Sequence, residues 1–453
     1  MTSIPPTSAR IAACGTSSQS SPPPAVETLR ARFQRGVSWS MAAAVATSGL
    51  NFLVNIVVAR LLGRIGFGEF GTVQTTIATV AGIAQLGMGY TATKFVAEFR
   101  SSDPVRAGRI IGLCSTVAAF TAGLAAASLF LWAPWLASVS LKAPALSVSL
   151  QLSVGTVYFS VLPGYQTGTL AGLESYRRLA ALALLGGVLN LLTCLGGARL
   201  WGLNGAIAGM GLSAFCQWLI FRAILHSECR RAGIAISRKE MFGERFVFLS
   251  FALPAALSGF SSMPALWLAN AFLVRQTNGF SEMALYAAAL NVRSFVFFLP
   301  SLVNRVSMSL LNNQRGLRNW KGYGRVFKTN VALTGGSVVC VAAVVALVGV
   351  PVLGAFGKEF RAGYPVLLVV LLSSVPEVLA MAIVQVVHSE SRLWLSLFAI
   401  ALPKDCTLVV LAYLLTPRYG AVGLAVAYSA AWFLTIVTVV ITARVSWPVP
   451  RQC

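Results

Sequence analysis

Acid is scarce in this sequence, with 13 Asp and Glu in 453 residues against 35 Lys and Arg. Charge of either sign is scarce, at 11% of the chain, where a soluble globular protein carries roughly 25%. A water-facing surface cannot be built from so little, which excludes a soluble fold. Histidine is nearly missing, and the two present, His226 and His388, are too few for a metal or histidine-based catalytic centre. None of the eight cysteines stands in a CxxC pair. Five of them, Cys114, Cys194, Cys216, Cys340 and Cys406, lie inside apolar runs and are expected to pack as small buried residues, without disulfide or metal ligation. The chain has no GxxxxGK[ST], HExxH or GxSxG stretch and no room for a glycosyltransferase-like soluble domain. A non-enzymatic protein with no cofactor and no metal is therefore expected.

Apolar residues supply what is there: 57% of the chain, with a mean hydropathy of +0.76. Lipid can serve as the exterior of such a chain, and at ~20 residues per span its length accommodates about twelve spans. These read at about 37–62, 70–97, 110–133, 150–172, 179–199, 203–225, 246–274, 283–306, 328–351, 364–388, 393–416 and 420–443. The segment 134–149 reads as a loop or interfacial piece. The first thirty-five residues, rich in Ser, Pro and Ala without an apolar core, read as a disordered cytoplasmic tail, so the run from Val37 would act as an uncleaved signal anchor.

A formal charge of +22 raises the question of nucleic acid. The basic residues, however, lie in short loops between apolar runs and not on one polar face with interleaved aromatics, so no nucleic-acid partner is expected. They concentrate in alternate loops: Arg100, Arg106 and Arg109; Arg177 and Arg178; Arg230, Arg231, Arg238, Lys239 and Arg245; Arg315, Arg318, Lys321, Arg325 and Lys328. The positive-inside bias then puts those loops and both termini in the cytoplasm of a multi-pass inner-membrane protein.

The chain also repeats itself. GLESYRRLA (172–180) and WGLNGAIAG (201–209) return as HSESRLWLS (388–396) and YGAVGLAVA (419–427), with Gly202 and Gly205 matching Gly420 and Gly423. More weakly, GFGEFG (66–71) matches GFSEMA (279–284). Six spans per half return the chain to its starting side, so both halves share one orientation. The expected fold is an all-α polytopic membrane protein with two pseudo-symmetric six-helix bundles around a central cavity. Its boundaries are a tail at 1–35, bundles at 36–225 and 246–443, a basic cytoplasmic linker at 226–245, and a cytoplasmic tail at 444–453.

Ionisable residues at mid-bilayer cost about 2.5–3.5 kcal/mol each on insertion scales, so those present need a reason. Arg293, Glu377, Lys404 and Asp405 stand near span centres, and their charges sum to zero. Lys404 and Asp405 point about 100° apart on a helix. Each is therefore expected to pair elsewhere, as Arg293–Asp405 and Lys404–Glu377. A hydrated cavity that binds charge or relays protons would need such residues; so would ion pairs that lock helices together. The N-terminal half carries amides instead. Among them Asn51 and Asn55 share a helix face, as interhelical glue or as cavity lining. Arg60 and Arg275 lie at span ends, positioned to snorkel to the interface or to line the mouth of an outward-opening cleft. Pro376 and Pro403 set a helix interruption beside a charge.

NFLVNIVVARLLGRIGFGEFGTV (51–73) resembles the first two spans of bacterial polysaccharide (O-antigen-type) flippases, which show an AR-x-LG stretch, a short loop and a Phe-Gly. GMGYTATKFVAEF (87–99) is similar to the end of that family's second span, and GLESYRRLA to its loop between spans four and five. The resemblance extends from about residue 35 to 443 in span number and halves. It implies a MATE-like exporter that flips an undecaprenyl-diphosphate-linked oligosaccharide for exopolysaccharide or O-antigen assembly by alternating access. The implied partners are that lipid-linked oligosaccharide, membrane lipids and other polysaccharide-assembly proteins. A cationic lumen would suit a diphosphate. The balanced central charges depart from that, leaving Arg60, Arg275, Lys94 and Arg305 to supply the positive charge. Two other readings compete. A cation-coupled drug or metabolite antiporter would favour an acidic cluster in the N-terminal half, which is missing. A membrane polysaccharide polymerase or ligase would want a long outward loop with Arg or His, and 134–149 holds only Lys142.

Overall fold

In lipid every backbone N–H and C=O must be satisfied within the chain, so long apolar runs coil into helices. A computed structural model describes residues 29–237, 243, 261–316, 319–389 and 393–446, and among them there is no β-strand. Eight helices in this range are long and apolar enough to cross a membrane, and Ser262–Val274 is a shorter apolar helix.

The order is α1 Leu29–Ala84, α2 Met88–Phe99, α3 Pro104–Trp135, α4 Leu146–Gly172 and α5 Tyr176–Arg231 in the N-terminal part. The C-terminal part has α6 Ser262–Val274, α7 Gly279–Arg293, α8 Phe298–Gly316, α9 Trp320–Leu347, α10 Gly349–Phe356, α11 Tyr364–Ser389 and α12 Leu402–Ser446. Three of these bend sharply at glycine: α1 at Gly63 (φ +69°), α5 at Gly202 (φ +58°, ψ −132°) and α12 at Gly420 (φ +52°, ψ −131°). Gly202 and Gly420 are the matched residues of the repeat, and they share one backbone conformation. The packing next to them matches as well. A Cβ on Gly205 would meet the Gly197 carbonyl oxygen at 1.9 Å, and one on Gly423 the Leu415 carbonyl oxygen at 2.5 Å. The repeat is thus a structural one at this turn. Glu390, which stands in HSESRLWLS where GLESYRRLA has Glu174, lies outside the described residues.

Helical structure exceeds the expectation in one place and falls short in another. The segment 134–149 is no open loop: α3 continues through a π-helical turn, Leu136–Ser140, and α4 starts at Leu146. Conversely, the second span is interrupted at 85–87, where Leu86 (φ +41°) and Gly87 (φ +67°) are both left-handed. Residues 1–28, most of 238–260, 317–318, 390–392 and 447–453 lie outside the described residues, and with them most of the expected tails, part of the basic linker, and Arg238, Lys239, Arg245 and Arg318.

One core joins the two parts. It runs from Val58, Phe67, Phe70 and Val73 of α1 through Leu146 and Ala206 to Leu273, Tyr286, Phe356, Phe360 and Ala421. This core extends from the end where Gly63, Gly202 and Gly420 turn the chain, called the kink end below, along the helices to Ile77, Val292, Val378 and Ala431. Phe67 rests edge-on against Phe360 with ring centroids 5.7 Å apart, and Phe52 against Phe356 at 5.5 Å. Gly68 lets α1 touch α7, since a Cβ there would fall 1.8 Å from the Phe280 carbonyl oxygen. Toward the opposite end the cores divide. One holds Met88, Ile110, Ile111, Leu225 and Ile234 of the N-terminal part, and another Ala380, Ile400 and Val439 of the C-terminal part. Among the described residues no shared core seals that end.

Candidate functional site

Of the four mid-span charges, two meet in the C-terminal part. Arg293 ends α7, just before the chain tightens into a 3-10 turn at Ser294–Phe297, and Glu377 follows Pro376 inside α11. Arg293 is 7% exposed and Glu377 5%. Arg293 Nη2 donates to Glu377 Oε2 at 2.8 Å, and the Tyr428 hydroxyl of α12 donates to the same oxygen at 3.0 Å. Nη1 reaches Ser373 Oγ at 3.5 Å, and the guanidinium lies over the rings of Phe297 (4.6 Å) and Tyr428 (5.0 Å). Charge, hydrogen bonds and stacking are all met locally, as burial of an ion pair requires.

The other two charges pair with each other. Lys404 Nζ bonds Asp405, whose other oxygen accepts from Ser261 Oγ (2.7 Å) and Ser262 Oγ (3.0 Å). Lys404 also reaches Ser262 Oγ at 3.3 Å and stands 5.4 Å from the centre of the Trp432 ring. The expected pairings Arg293–Asp405 and Lys404–Glu377 are therefore replaced by Arg293–Glu377 and Lys404–Asp405. Two physical facts account for this. A lysine's four-carbon stem folds back over the next residue, and α6, not α7, supplies the hydroxyls that Asp405 faces.

The remaining candidates separate. Asn55 is buried and its amide nitrogen donates to the Asn51 carbonyl at 2.9 Å, while its Oδ1 is buried without a partner; the Asn51 side chain is exposed. Arg60 and Arg275 do more than snorkel, because each crosses to the other part at the kink end. Arg60 Nε donates to the Ala355 carbonyl at 2.7 Å, and Arg275 Nη2 to the Val139 carbonyl at 2.6 Å. The donors stand 215 residues apart and the acceptors 216, so the two contacts form a reciprocal clasp in the register of the repeat. Beside it, Arg64 donates to the Ser281 carbonyl (3.2 Å) and pairs with Glu282 (3.5 Å). Glu282 in turn accepts from the Ala421 N–H at 2.9 Å, at the Gly420 bend.

A profile of the polysaccharide biosynthesis protein family matches residues 33–309. The chain belongs to that family. No curated protein matches the sequence. Among solved structures, this polysaccharide biosynthesis protein resembles the lipid II flippase MurJ in an inward closed conformation, with 12% identity, a TM-score of 0.68, and 89% of this chain and 86% of that one covered. It also resembles an inward-facing multidrug resistance MATE family transporter of the MOP superfamily, with 14% identity, a TM-score of 0.66, and 90% and 97% covered. A MOP superfamily transporter from Pyrococcus furiosus gives 17% identity, a TM-score of 0.65, and 92% and 94% covered. At such identities the likeness shows the fold: a multi-pass, all-helical membrane protein of the MATE-like type.

Sequence reasoning missed several residues of this site. Tyr428, Ser373, Ser261 and Ser262 satisfy the buried charges, but hydroxyls are common in these spans and carry no signal alone. Arg64 and Glu282 had one. Glu282 is among only 13 acids and sits in the repeated GFSEMA stretch, matched to Glu69 in GFGEFG.

Proposed function

We propose that this protein is a flippase that carries an undecaprenyl-diphosphate-linked oligosaccharide across the bacterial inner membrane by alternating access, for exopolysaccharide or O-antigen assembly. In this reading twelve passages form two six-helix bundles, at 36–225 and 246–443. Both termini are cytoplasmic by the loop charge bias, so the kink end faces outward. The observation that carries the reading is the one-sided seal in a member of a polysaccharide biosynthesis family. The parts are clasped and share a core at the kink end, and no described shared core joins them at the other. Such a state accepts cargo from the cytoplasm, where lipid-linked sugars would be loaded. The central charges cancel in pairs, while Arg60 and Arg275 are held only by neutral carbonyls. Parting of the bundles at the kink end frees both guanidiniums at the outer mouth, where a diphosphate is the fitting anion.

Deletion of the gene tests this directly. Diphosphate-linked oligosaccharide is expected to accumulate on the cytoplasmic side, with surface polysaccharide lost. Unchanged lipids and surface polysaccharide, in a strain without a redundant exporter, would overturn the reading in favour of a small-molecule antiporter.

A further inference from the structure

The break in the second span has a cavity beside it. Residues 85–87 leave helical geometry, and a leucine there takes a positive φ, a conformation that costs a non-glycine residue energy and persists only where its surroundings enforce it. Non-helical backbone at membrane depth is tolerated only where protein buries it or where it lines a watered cavity. Here it stands beside a cleft of about 660 Å³ between α1, α2, α4 and Met263 of α6, within the size range of small-molecule sites.

Its wall mixes apolar side chains, Ile83, Leu86, Pro163, Ala171 and Met263, with polar ones. The polar side chains are Gln85, Tyr90, Thr93, Ser160 and Thr167, interleaved with glycines that let α2 and α4 pack closely, since a Cβ on Gly168 would fall 2.2 Å from the Gly89 carbonyl oxygen. Among the described residues that line it there is no Asp, Glu, Lys, Arg or His. Tyr90 is 76% exposed, and Gln85 and Thr167 are exposed as well. Amides and hydroxyls that both donate and accept, beside an exposed aromatic ring and no charge, match a polyhydroxylated neutral ring and give no purchase to a cation or a phosphate. Charge begins at the far edge. Met263 closes the cleft, and the residue before it, Ser262, bonds both Asp405 and Lys404.

We infer that this cleft is a carbohydrate subsite, holding sugar rings of the cargo on the N-terminal wall apart from the charged groups. The inference rests on the flippase reading and adds to it where the uncharged portion sits. Among the described residues the cleft is lined by the N-terminal part and by Met263 of the C-terminal part, so bound sugar touches both and is released as they move apart.

The test uses the full-length purified protein in nanodiscs and two probes, undecaprenyl diphosphate and undecaprenyl-diphosphate N-acetylglucosamine. Wild type is expected to bind the sugar-bearing lipid about tenfold more tightly, the scale of two or three net hydrogen bonds. The double variant Gln85→Leu/Thr167→Val changes two exposed side chains of similar size. It should lose that preference and keep its affinity for undecaprenyl diphosphate, with Tyr90→Leu giving the same result by removing the ring. Preference retained by all variants, or equal binding of both lipids by wild type, overturns the subsite and leaves the flippase reading standing. Binding of neither lipid by wild type overturns the flippase reading and the subsite with it.

Discussion

A guanidinium and a carboxylate enclosed between α7, α11 and α12 set a sharp energetic contrast between losing one partner and losing both. Glu377→Ala strands the Arg293 charge and is expected to cost about 3–5 kcal/mol. The double variant Arg293→Met/Glu377→Leu should recover most of that, since each charge is removed with its partner. Thermal unfolding in detergent checks the stability. Complementation of a deletion strain checks the role: the self-satisfied geometry of the pair predicts that the double variant still restores surface polysaccharide, and failure of a well-folded double variant would place the pair on the transport path. Sequence reading located these charges because ionised groups in lipid are conspicuous and depth follows from position along a span. It misassigned their partners because partner choice depends on which helix faces which, and spans hydrophobic all round carry no azimuth.

Matched bends at Gly202 and Gly420 make a paired experiment on one element type. Alanine in either position must adopt a positive φ, at roughly 1–3 kcal/mol. At Gly202 nothing stands within 4 Å of the added Cβ, whereas at Gly420 it would meet Glu282 Oε2 at 2.7 Å. Gly420→Ala should therefore lower the melting temperature further than Gly202→Ala, and equal shifts would refute the asymmetry. These bends were legible as repeated glycines. The break at 85–87 was not: a single Gln85 amid apolar residues is compatible with a continuous helix, and one of the two left-handed residues is a leucine, which no propensity would select.

For the molecule as a whole, the clasp couples both parts at the kink end. Arg60→Ala/Arg275→Ala removes both cross-links while leaving the shared aromatic core. Spin labels at the exposed Lys142 and Lys358, which flank the two acceptors, should report a longer and broader distance distribution in the double variant than in wild type. An unchanged distribution would show that the core alone holds that end. Gly68→Val, whose side chain must displace the Phe280 carbonyl, should open the same distance further. Fold class was readable from composition because lipid imposes it. Which end shares a core was not, because the facing of one apolar span on another leaves no pattern in the sequence.

The clasp closes on main-chain oxygens, and any residue at all presents one. Positions 139 and 355 can accordingly drift through evolution without loosening it, while 60 and 275 cannot. A saturation mutagenesis screen should find tolerance at the first two and intolerance at the second two. A search of homologues for co-varying pairs would pass over this contact entirely, since only one member of each pair is under selection for its side chain.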